Sequence, residues 1–120
     1  MNLITRDELH RKLERGDDFR LVMTLSRFAF EATRIPTSLH FDDAASGLDR
    51  CDEIVVYCGD IHCAASIRAY RRLERAGYRR ARRYAGGIAD WEEAGYPLER
   101  GGLKRATPKT SLVVRAVAPA

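Results

Sequence analysis

The stretch IVVYCGDIHCAAS, residues 54–66, brings two thiols and an imidazole together in one short segment. A cysteine is a useful nucleophile only as its thiolate, so a reactive one needs surroundings that favour negative charge. Cys58 follows four strand-type residues and opens the loop Cys58-Gly59-Asp60-Ile61-His62-Cys63 ahead of a helical pattern. The free N–H groups and positive dipole end of such a helix suit an anion. A loop curled back over the helix start would surround the Cys58 sulfur with the N–H groups of Gly59 through Ala64. Gly59 permits a close backbone turn, and His62 can bring positive charge or a hydrogen bond near neutral pH. On these residues alone, a nucleophile and a buried packing cysteine both stay open.

The remaining chemistry-bearing groups narrow the class. Cys51, Cys58 and Cys63 are an odd, sparse set, which argues against a secreted disulfide scaffold and for reduced thiols. No metal is expected, because Cys58, His62 and Cys63 lie too close together to wrap a tetrahedral ion and no second ligand pair follows. The net charge of +4 and the basic run RRLERAGYRRARRY raise nucleic acid as a partner. That run carries no nucleic-acid module, however, and reads as the polar face of a helix followed by a loop. Solvated surface is the first reading of it, with an acidic protein partner as the alternative.

These groups need elements to hold them. The 120 residues fit one domain, with 45% hydrophobic and 32% charged residues, a globular balance. In NLITRDELHRKLERG a short strand runs into a helix; Thr5 and Glu8 form a capping box, Ile4 and Leu9 a hydrophobic staple, and Gly16 the stop. FRLVMTL reads as a buried strand, SRFAFEATRIP as a short helix or turn ending at Pro36, and SLHF as a third strand. DDAASGLDRCD is a brief helix and connection, with Asp42 and Asp43 at its N-terminus. EIVVYC is the strongest strand. ASIRAYRRLERAG then sets Ala69, Tyr70, Leu73 and Ala76 on one helical face, ending at Gly77. A weaker strand around residues 81–84 and a short helix in IADWEEAG follow. Alternating strands and helices predict an α/β fold: a mostly parallel sheet of about five strands with helices on both faces. Sites in such sheets form beyond the carboxyl ends of strands, where Cys58 stands.

Taken in order, several segments resemble the rhodanese family of single-domain sulfurtransferases across residues 2–100. They are the strand LVM, RIPTSLHF in place of a HIPGA-type segment, IVVYC opening the active loop, the helix ending in LERAGY, and YAGGIADWEEAGYPLE. The last is similar to the family's GG-x-x-x-W-x-x-x-G-x-P ending. The resemblance implies a rhodanese-like domain over residues 1–100, and Cys58 as the residue that takes a sulfane sulfur as a persulfide and passes it to a thiophilic acceptor. It further implies that a loop of six residues, Cys58 through Cys63, favours sulfur over phosphate, since related phosphatases use one residue more.

The sequence also departs from the family pattern. Met23 and Leu25 stand where an Asp and an Arg are frequent, and Arg34 and Thr37 replace the His and Gly of HIPGA. No basic residue lies inside the loop, and Asp60 adds negative charge, so an anionic donor such as thiosulfate loses electrostatic help. Arg34, Arg68 and His62 are the candidates to restore it. Cys63 is a candidate resolving thiol, able to attack a Cys58 persulfide, release sulfide and leave a disulfide, or to protect Cys58 from overoxidation; the alternative is a small residue that fits. Disulfide formation requires Cα atoms within roughly 7 Å. Ser66 is either a donor to the loop or a plain helix residue, Trp91 and Tyr96 are packing groups, Asp90 a local cap or pair, and Cys51 incidental.

The expected function is therefore a sulfurtransferase, with a dithiol redox or sulfide-releasing protein, or a non-catalytic sulfur carrier or binding module, as alternatives. No cofactor is expected. The expected partners are a small sulfur donor and a thiol or cyanide acceptor, with no membrane. The start MNLITRDEL shows no signal-peptide pattern and no run reaches membrane-spanning length, so the expected location is cytoplasmic. Residues 101–120, GGLKRATPKTSLVVRAVAPA, read as a tail that is flexible, an added edge strand, or an arm across a dimer.

Overall fold

The computed structural model describes residues 1–44 and 47–101; the expectations for the tail beyond Gly101 lie outside the described residues. Four short strands form one sheet: β1 (Arg20–Met23), β2 (Leu39–His40), β3 (Ile54–Tyr57) and β4 (Ala81–Tyr84), in the order β2-β1-β3-β4. All neighbouring pairs are parallel. The expected fifth strand, at the N-terminus, shrinks to one parallel bridge between Leu3 and Arg83. There the Arg83 N–H donates to the Asn2 carbonyl and the Ile4 N–H to the Arg83 carbonyl. Thr5 already caps a helix, which leaves no chain to extend that edge.

Strand alternation sorts the core into two layers. Leu21, Met23, Val55, Tyr57 and Tyr84 point to one face, where they pack with Ile4, Leu9, Phe30, Ile35 and Trp91. The helices on that side are α1 (Arg6–Arg15), α2 (Arg27–Ala32) and α5 (Gly87–Glu93). Val22, Ile54, Val56 and Ala81 point to the other face and pack with Ala44, Ala69, Tyr70 and Leu73 from α3 (Phe41–Ala44) and α4 (Ala65–Arg75). Ala76, expected on the buried face of α4, is exposed because the helix ends there and the chain turns at Gly77.

The cap of α1 is half of what the sequence predicts. Thr5 Oγ1 accepts the Glu8 N–H, and Gly16 closes the helix in the left-handed region. The Glu8 carboxylate, however, is engaged in both oxygens by Arg82 of β4, which holds it below the usual carboxylate range. Strand-to-helix ion pairing thus replaces the return arm of a capping box. At the opposite edge, Thr37 holds φ of 72°, a left-handed conformation that a β-branched residue adopts rarely.

Candidate active site

The register aligns the strand ends, with Met23 opposite Tyr57 and Tyr57 opposite Tyr84, so that Cys58 emerges at the middle of the sheet's carboxyl edge. Thr24 fastens the end of β3 by donating both its N–H and its Oγ1 hydroxyl to the Tyr57 carbonyl. The next two carbonyls are taken by α5: Ile88 N–H donates to Cys58 O at 3.0 Å, and Ala89 N–H to Gly59 O at 2.9 Å. First-turn amides of a helix have no partner within it, and here the loop backbone provides one.

This contact explains the closing motif. Gly87 has φ of 67°, and any Cβ there would collide with the Cys58 carbonyl and come within 3 Å of the Gly59 backbone. Trp91, fully buried, donates its Nε1–H to the Pro97 carbonyl at 2.8 Å, and Gly95 makes the left-handed turn between them. The expectation of packing roles for Trp91 and Tyr96 agrees with this: Tyr96 sits edge-on to Trp91 and stacks on His10. Asp90 pairs locally, accepting from the Tyr84 hydroxyl at 2.6 Å and from Arg6 at 2.9 Å.

Within the loop, Asp60 organises the backbone. Its carboxylate accepts the His62 N–H at 2.9 Å and its carbonyl accepts the Cys63 N–H at 3.1 Å. Two of the N–H groups expected to face the sulfur are therefore turned to Asp60. Cys58 and Cys63 are joined as a disulfide, with Cα atoms 6.5 Å apart. Asp60, Ile61, His62 and Ala64 are exposed, Gly59 and Cys63 half-buried, and Cys58 is buried. Ala64 follows the loop as the N-cap residue of α4. Ala64 provides no side-chain cap, leaving the first-turn amides of α4 without that acceptor.

Of the cations expected to assist Cys58, Arg34 is committed elsewhere. It donates to the carbonyls of Phe30, Glu31 and Gly101 and pairs with Glu99. Arg68 and His62 are exposed. Leu25 lies against Gly59, which makes the wall on that side apolar. A different arginine is linked to the sulfur through one side chain: buried Arg83 of β4 donates its Nε–H to Ser66 Oγ at 2.9 Å, and Ser66 Oγ lies 3.6 Å from Cys58 Sγ. Reading the basic run as solvated surface misses Arg83. The signal was the strand ARRY itself, in which an arginine two positions after Ala81 must share the face of Ala81.

The sequence matches the Rhodanese-like domain family over residues 5–94. No curated protein matches it. Among solved structures, a protein from Bacillus halodurans superposes with a TM-score of 0.75 at 20% identity, covering 82% of this chain and 77% of that one. The Rhodanese-like domain of an Anabaena protein gives 0.73 at 23% identity, covering 98% of this chain and 92% of its own. A human single-domain sulfurtransferase gives 0.65 at 24% identity over 78% of this chain and 96% of its own. These likenesses establish the fold. Among the described residues no helix is long and apolar enough to cross a membrane.

Proposed function

We propose, from the premise that this chain belongs to the Rhodanese-like domain family, that it is a sulfurtransferase working through a persulfide on Cys58. The observation that carries this reading is the seat of Cys58: buried at the end of the central strand, its own carbonyl held by α5 and its sulfur beside the start of α4. A thiolate there attacks the outer sulfur of a sulfane donor. With thiosulfate, the Cys58 S–S bond forms as the donor S–S bond breaks, and sulfite leaves with the bonding pair. The persulfide anion then gives its terminal sulfur to cyanide or a thiolate acceptor, restoring the Cys58 thiolate. The backbone N–H groups of the Gly59–Ala64 loop that remain free, with the uncapped first turn of α4, stabilise the anion. We place this chemistry in the reducing cytoplasm, where Cys58 is available as a thiol.

A second reading is favoured by one contact, the Cys58–Cys63 disulfide. A Cys63 thiolate attacking Sγ of a protonated Cys58 persulfide closes that bond and breaks the Cys58 S–SH bond, so that the terminal sulfur leaves as hydrosulfide with its own proton and the bonding pair. An external thiol must then reduce the disulfide for another cycle.

Intact-mass spectrometry separates the two readings. After reduction and incubation with thiosulfate or a polysulfide, the sulfurtransferase gains one sulfur, about 32 Da by persulfide chemistry, in wild type and Cys63→Ser but not in Cys58→Ala. A loss of two hydrogens that needs both cysteines, with sulfide released, favours the second reading. No mass change with either donor overturns the first.

A further inference from the structure

We infer that Arg83 is a positioning residue for Cys58, acting through the Ser66 hydroxyl, and that it provides the positive charge missing from the loop. The inference rests on the sulfur-transfer reading only for its purpose; the contacts stand independently of it.

Arg83 is buried, yet no carboxylate lies within ion-pairing distance of it among the described residues. Its neighbour Arg82 shows the ordinary arrangement, with Glu8 and Glu53 close to its guanidinium. An arginine keeps its charge under almost all conditions, and burying that charge without a counter-ion is costly. Among the described residues its one side-chain acceptor is Ser66 Oγ, reached by Nε–H at 2.9 Å. A serine oxygen that accepts from a cation still has its own proton to donate. The sulfur 3.6 Å away is the acceptor on offer, and sulfur hydrogen bonds are longer than those of oxygen. Arg83, Ser66 and Cys58 thus form a line along which each donor strengthens the next.

In the disulfide form, the sulfur at the end of this line is neutral. Reduction and ionisation of Cys58, or formation of its persulfide anion, place a negative charge where the buried guanidinium has no partner. The free loop amides supply partial positive charge, but the Cys63 carbonyl oxygen lies 3.6 Å from the sulfur and the loop carries Asp60 and no arginine or lysine. The supporting cation comes from β4, on the face of the sheet covered by α4.

The test measures Cys58 alkylation by iodoacetamide against pH, with no sulfur donor present, in a chain carrying Cys51→Ser and Cys63→Ser so that Cys58 is the one thiol. Arg83→Met is expected to raise the midpoint of the curve by about one pH unit, a tenfold lower rate below the midpoint. Ser66→Ala raises it by less, and Arg83→Lys restores part of the Arg83→Met loss. Arg83→Gln replaces the methionine variant if that one does not fold. Unmoved midpoints overturn the inference, and so does a shift in only one of the two positions. A lysine that behaves like methionine assigns Arg83 to packing and also overturns it. Sulfur loading of the wild type is scored separately by mass, so a chain that takes no sulfur yet shows these shifts rejects the sulfurtransferase reading while keeping the relay.

Discussion

At the scale of single residues, two backbone positions carry strong expectations. Gly87 sits where a Cβ meets the Cys58 carbonyl, in a left-handed conformation. Gly87→Ala should therefore cost about 2–4 kcal/mol, the sum of left-handed strain and overpacking against fixed backbone. Urea denaturation measures that loss, and sulfur loading of Cys58 should fall with it because the loop must move. Thr37 is the converse case. Its φ of 72° is strained for threonine, so Thr37→Gly should stabilise the fold by about 0.5–1 kcal/mol after glycine's larger unfolded-state entropy is subtracted. The melting temperature should rise by about 3–6 °C for a domain of this size; a fall would show that Thr37 contributes more through its side chain than its backbone costs. Both positions were visible as letters in the sequence, one as part of the closing motif and one as a departure from HIPGA. Arg83 is hidden behind the basic run, whose charge reads as surface; the alternation of ARRY, which sets it on the face of Ala81, is the cue that the charge obscures.

At the scale of elements, β3 does more than present Cys58. Tyr57, the residue before it, is fully buried, accepts the Ile35 N–H and shares a 2.6 Å hydrogen bond with Ser38 Oγ. Burial pushes its hydroxyl pKa from the ordinary 10.0 up to about 12. The unfolded chain therefore ionises this group at lower pH than the native fold does. Its contribution is complete below about pH 10 and is lost as pH climbs toward 12, by up to about 2.7 kcal/mol. Tyr84 is raised in the same sense by burial and by its bond to Asp90. Urea midpoints should fall between pH 10 and 12 in the wild type and fall less steeply in Tyr57→Phe; equal slopes would remove Tyr57 as the cause. Sequence periodicity located β1, β3, α1 and α4 well, since their apolar spacing is long and regular. It placed the start of α4 at Ala65, where the helix begins, and overstated the N-terminal strand, because that boundary is decided by hydrogen bonds to a distant partner, Arg83.

At the scale of the whole molecule, the two apolar layers depend on one sheet whose faces are each covered by helices. The segments that carried the family resemblance meet in space. Arg34, from the segment in place of HIPGA, exchanges backbone hydrogen bonds with Glu99 of the closing segment at 2.9 and 2.8 Å, while the start of α5 holds the loop. Chain order concealed those meetings, and only the pattern of motifs hinted at them. The contact between α5 and the Cys58 carbonyl also bears on how the protein is made. Ile88 and Ala89 lie about 30 residues downstream of Cys58. A chain still being synthesised therefore has the cysteine in hand well before it has the two amides that fasten its loop. A product truncated before Ile88 would thus keep Cys58 but lack the two amides that fasten its loop.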